Sequence, residues 1–178
     1  MTNAWRRGPV AQVLRAFGLS RQQSADGPRE SQTALSGLSD EEAMAQVIDA
    51  ARQIAGSARL EGVTGAFRFE SCNDQGKPPY RGRVDMSFVL PDGVEPDGFF
   101  QQTAATMVGH GWSAGAPPGR RPFGVVIHTE TVMAIFSRAC ATGTRGTAQV
   151  CGECRNMTDH CDDGTTIGVD VTARLSGS

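Results

Sequence analysis

The stretch Arg83-Val84-Asp85-Met86-Ser87-Phe88-Val89-Leu90 alternates polar and apolar side chains as far as Phe88, and soon afterwards the period changes. The alternation puts Val84, Met86, Phe88 and Leu90 on one face of a strand buried on that side. Asp92-Gly93 ends the strand. From Asp97, read as an N-cap, to Val108, apolar residues recur at helical spacing. Phe100, Thr103, Ala104, Met107 and Val108 form the expected buried stripe, and Gly109 and Gly111 stop the helix. A helix that follows a strand implies a crossover, so the next strand is expected to run parallel to this one.

On the N-terminal side, residues 66–71 alternate again, with Phe67 and Phe69 facing one way and Arg68 and Glu70 the other. The turn-rich loop from Cys72 to Tyr80 joins this strand to residues 83–90. Before it, Ser39-Asp40-Glu41-Glu42 is a capping box, in which Ser and Glu satisfy each other's backbone donors. Met44, Val47, Ile48, Ala51, Ile54 and Ala55 follow on one helical stripe, and Gly56 fits a C-cap. On the C-terminal side come Trp112 and a Pro/Gly-rich loop to Pro122. Residues 123–129 and 132–137 read as two strands with a tight turn at Glu130, residues 144–154 as a fifth strand, and 166–172 as weak strand.

The expected architecture is α+β: a two-layer sandwich whose mixed, mostly antiparallel sheet of about five strands carries two helices on one face. Residues 1–38 are expected to be disordered or weakly helical, with a short amphipathic helix at 10–19. Residues 39–160 form the domain, and 161–178 a tail.

The chain has 178 residues and a formal net charge of −2, with no apolar run long enough to span a membrane and no basic footprint for nucleic acid or an anionic membrane. No Ser-His-Asp arrangement can be argued from residues this far apart, and no phosphate-binding glycine loop follows a strand, so no enzyme class and no cofactor is expected. Five cysteines, Cys72, Cys140, Cys151, Cys154 and Cys161, are many for a reducing compartment. Cys151-Gly152-Glu153-Cys154 with His160 and Cys161 has the residue types of a zinc or thiol-redox site. Structural cysteines, some in disulfides, are the competing reading.

The two proline loops, 72–83 and 111–122, precede the two strands expected to be parallel, so they should meet at one end of the sheet. That gathers Tyr80 and Arg81 with Trp112, Arg120 and Arg121, and places Lys77 nearby. Aromatics beside arginines make a binding surface for a small ligand or partner protein. The alternative is that Tyr80 and Trp112 cap the core while the arginines stay solvated.

Several words in the sequence are distinctive: Glu42-Ala43-Met44-Ala45-Gln46-Val47; Ser71-Cys72-Asn73-Asp74-Gln75-Gly76 with Pro78-Pro79-Tyr80; Gly111-Trp112 with Pro117-Pro118-Gly119; and Gly152-Glu153-Cys154-Arg155-Asn156 with Thr158-Asp159-His160. In this order, over residues 38–160, they resemble mycobacterial lipoproteins of the LppJ type. The resemblance implies an actinobacterial envelope or exported protein without assigned activity. It also implies that Cys72 and Cys154 pair in a disulfide, leaving Cys140, Cys151 and Cys161 as extras. Those lipoproteins begin with a signal peptide and a lipid-acceptor cysteine. Here Arg15 interrupts the early apolar residues and no cysteine precedes Cys72, so membrane association would need a leader outside this sequence. A cytoplasmic setting stays open on this reading.

Overall fold

A computed structural model describes residues 37–139, 143–163 and 168–176. The expected disorder and amphipathic helix of the first segment, and Cys140, lie outside the described residues. Helix α1 (Asp40–Ser57) starts at the capping box read from the sequence. Glu42 N–H donates to Ser39 Oγ at 3.2 Å, and Ser39 N–H donates to Glu42 Oε2 at 2.8 Å. The helix runs past Gly56, where a cap was expected. Leu60 N–H reaches back to Ala55 O, Arg59 N–H reaches Gly56 O, and Arg59 takes the left-handed conformation at φ 52°. This is the double hydrogen-bond closure that usually employs glycine. Leu60 packs against the core, and the C-cap falls at Ala58, two residues beyond the glycine.

Strands β1 (Glu61–Ser71) and β2 (Tyr80–Val89) form a long antiparallel hairpin, in which Phe67 stands opposite Val84 and Glu70 opposite Arg81. Helix α2 (Pro96–Val108) begins earlier than expected, with Glu95 as its N-cap, accepting from Gly98 N–H, and Pro96 at the first helical position. Phe100, Thr103, Ala104 and Met107 are buried as expected, but Val108 is 43% exposed. It lies some 80° around the helix from Phe100, at the margin of the stripe.

The chain continues through β3 (Ser113–Ala114), β4 (Val125–His128), β5 (Met133–Arg138), β6 (Arg145–Cys151), β7 (Val169–Asp170) and α3 (Thr172–Leu175). Among the described residues these make one sheet of seven strands, ordered β3-β4-β5-β6-β2-β1-β7, with every neighbouring pair antiparallel. About five strands and a weak one at 166–172 were expected; β7 falls within the weak one and β3 is new, both being two-residue strands at the sheet's borders. The expected parallel relation between β2 and β4 is overturned. Following the ladders from β4 through β5 and β6 to β2 makes those two antiparallel. The crossover returns to β3 instead, which does share β2's direction, and β3 turns the chain round before β4 begins.

All three helices cover one face. A Cβ on Gly82 would lie 2.3 Å from Ala43 O of α1, and one on Gly146 would meet the Phe88 and Phe100 rings within 3 Å. A Cβ on Gly65 would likewise strike Leu175 of α3. Bare glycines on this face therefore let the helices approach the sheet closely. Between them lies the core, with Val84, Met86 and Phe88 of β2 against Ala134, Phe136, Ala148 and Val150. The last described segment joins it through Val171 and Leu175. Among the described residues the opposite face of the sheet carries no helix, and along β1 and β2 it is polar, with Arg68, Glu70, Arg83, Asp85 and Ser87.

Candidate functional site

The end of the sheet where β2 begins is built by the loop after β1 and the segment after β6. Asn73 organises the loop: its Oδ1 accepts from Gln75 and Lys77 N–H, and its Nδ2 donates to Lys77 and Pro78 carbonyls. Cys72 then bonds Cys154 across 82 residues, as the resemblance implied. Backbone pairing continues beyond β6: Gly152 N–H donates to Gly82 O, and Tyr80 and Asn156 exchange both backbone bonds. Asn156 is fully buried, donating from Nδ2 to Asp40 Oδ1 at 2.7 Å and accepting from Thr158 N–H at 2.9 Å. The Asn156 bond holds the Asp40 carboxyl below its ordinary range, against a smaller upward push from burial.

On the open face beside this end lies a ladder of ions. Arg81 grips Glu70 through Nε and Nη2 at 2.7 and 2.5 Å, and Arg83 bridges Glu70 at 2.6 Å and Asp85 at 2.7 Å. Burial pushes the Glu70 carboxyl up, but the two guanidinium groups outweigh it and hold the group below its usual range. Next to the ladder is a cleft of about 280 Å³, walled by Arg81, Arg120, Arg155, Glu130, Glu153 and the 151–154 turn. A second hollow above the disulfide again has Arg81 and Arg120 on its wall. Among the described residues Arg120 and Arg121 pair with no carboxylate.

The expected cluster is thus divided. Arg81 and Arg120 come together. Arg121 is exposed and does not line the cleft. Tyr80 and Trp112 point to the helix side and are buried, Trp112 donating its Nε1–H to Gln53 of α1 at 3.1 Å. Tyr80's hydroxyl lies 2.5 Å from Gly76 O and 3.2 Å from Asp159 Oδ1. Burial, then the Asp159 carboxylate, raises the phenol's pKa. Both aromatics cap the core.

The four residues of the metal or thiol-redox reading do not converge. Cys154 is in the disulfide, and Cys151 is a buried thiol whose pKa burial raises, the reverse of an activated nucleophile. His160 stacks on Phe69 at 3.7 Å, with Asp163 Oδ2 2.7 Å from Nδ1 and Asp40 Oδ1 3.3 Å from Nε2. Cys161 is exposed on the loop beyond. Among the described residues no three His, Cys, Asp or Glu side chains gather as a metal site. The Glu70–Arg83–Asp85 ladder went unnoticed in the sequence, although Arg81, Arg83 and Asp85 recur at period two. Asn156 carried no signal beyond its place in a distinctive word.

Residues 39–174 match the protein family described as "Putative lipoprotein LppJ". Over 132 residues the chain is 44% identical to "Putative lipoprotein LppJ" of Mycobacterium tuberculosis and of Mycobacterium bovis, covering 74% of this chain and 69% of theirs. No solved structure matches the chain. Among the described residues no helix is long and apolar enough to cross a membrane.

Proposed function

The chain belongs to the LppJ lipoprotein family, whose name points to the cell envelope, and on that premise we propose a non-enzymatic module that takes a small anionic ligand, or an acidic group of a partner, into the cleft between loops 72–83 and 111–122. One observation carries this reading. Arg81 and Arg120 are distant in sequence and wall the same cleft, and Arg120 holds no partner of its own among the described residues. A guanidinium free of internal ion pairs beside a concave wall is a ready donor for carboxylate or phosphate oxygens. Arg81 is already spent on Glu70 and shapes the wall more than it binds.

Binding is favoured over catalysis by the state of the reactive groups. His160 is fixed between two carboxylates, His128 places Nδ1 2.9 Å from Gly115 O, and the Cys151 thiol is shifted away from its nucleophilic form. Calorimetric titration of the full chain with inorganic phosphate and with citrate tests the proposal. Saturable binding is expected, weakened about tenfold in Arg120→Ala with thermal stability unchanged. Equal affinity in the variant, or no binding of either anion by the natural sequence, overturns it.

A further inference from the structure

We propose that the loop tip Arg120-Arg121-Pro122-Phe123 docks on an anionic membrane surface. Phe123 is 98% exposed, an aromatic ring left in water by its own fold. It stands at the rim of an apolar hollow lined by Phe100, Val125 and Phe136 without filling it. Two arginines precede it, neither held by a carboxylate among the described residues, in a chain whose net charge is −2. The base of the loop is fixed, because Gly124 (φ 120°) runs so close to β5 that a Cβ there would lie 2.5 Å from Phe136 O. Pro117, Pro118 and Pro122 limit the rest. The ring is thus presented at little conformational cost.

A lone aromatic beside cations suits the headgroup layer, where the ring enters the interface and the arginines meet phosphates. A protein-docking hot spot would instead sit inside a ring of packed neighbours. The inference shares Arg120 with the cleft but does not depend on what fills it. Arg121 and Phe123 are outside the cleft wall.

The test is co-sedimentation of the full chain with vesicles of equal parts phosphatidylglycerol and phosphatidylcholine, and with pure phosphatidylcholine vesicles. Binding is expected for the anionic vesicles only, falling with salt. Arg121→Gln should weaken it about fivefold and Phe123→Ser about tenfold. Because residues 1–36 are present in every sample, differences between variants report the loop alone. In Phe123→Trp, the added emission should shift to the blue when anionic vesicles are supplied. Unchanged binding in both variants, equal binding to the neutral vesicles, or no vesicle binding combined with self-association that Phe123→Ser abolishes would overturn the proposal; the last would assign the tip to a second copy.

Discussion

Replacing Cys72 and Cys154 together with serine leaves the native contacts at that end of the sheet largely in place. Cys72 N–H still donates to Pro79 O, and Tyr80 and Asn156 still exchange their backbone bonds. What changes is the unfolded chain. The bridge spans 82 residues, and for a loop of that size the chain-entropy relation gives about 4.5 kcal/mol. Two half-buried hydroxyls in place of the sulfurs add a little to the loss. For a domain of this length the melting temperature should fall by roughly 10–15 °C. Urea unfolding followed by far-ultraviolet circular dichroism should show both a lower midpoint and a steeper slope, since an unbridged chain exposes more surface. The native spectrum should not change. A loss under about 1 kcal/mol, or an unchanged slope, refutes the argument that the bridge acts on the unfolded state. Peptide mapping of oxidised protein that finds Cys72 free removes its premise.

Gly82→Ala drives a methyl into Ala43 O of α1, a backbone atom that cannot step aside. The cost should reach about 3 kcal/mol in urea unfolding, and a loss below about 1 kcal/mol would mean the helix sits less tightly than described. Asn156→Ala removes one bond to a carboxylate and strands Thr158 N–H, so about 2–3 kcal/mol should be lost with the α1 N-terminus exchanging amide protons faster. Acid should destabilise the fold through Asp40 and Glu70. Both carboxyls titrate below their ordinary range when folded, so the unfolded chain binds more protons across that range. Their contribution is whole above about pH 5 and fades as pH falls through the folded pKa values. Melting temperatures measured down the acid range should decline there, and less steeply in Glu70→Gln.

Helix α1 was legible because its signals are local: a capping box, then a stripe. The inward face of β2 was legible for the same reason, as Val84, Met86 and Phe88 repeat at period two. β3 could not be read, since Ser113-Ala114 is too short to show any period. Missing it carried a large consequence, for β3 absorbs the crossover and reverses β4. Even so, loop 111–122 reached Arg81, because its residue Arg120 leans over the sheet end and not because of the strand direction assumed. Of the two readings open for Trp112 and Tyr80, the core-capping one holds; packing against α1 and the segment after β6 decides which way they point. Pairing of Cys72 with Cys154 came from resemblance, as spacing alone left the cysteines open. The His160 clamp depends on Asp40, 120 residues earlier, a distance no motif spans.

The two-residue strands at the borders also govern how copies of this protein behave when crowded. Among the described residues β7 pairs with Ala66 and Phe67, and its chain then bends away into α3. β3 pairs at two positions and leaves the sheet through Gly115, whose N–H is taken by Val126 O. β3 and β7 themselves each offer no more than two residues on which another molecule could add a strand. Wherever chains meet repeatedly at high local density, border strands this short disfavour runaway polymerisation through them.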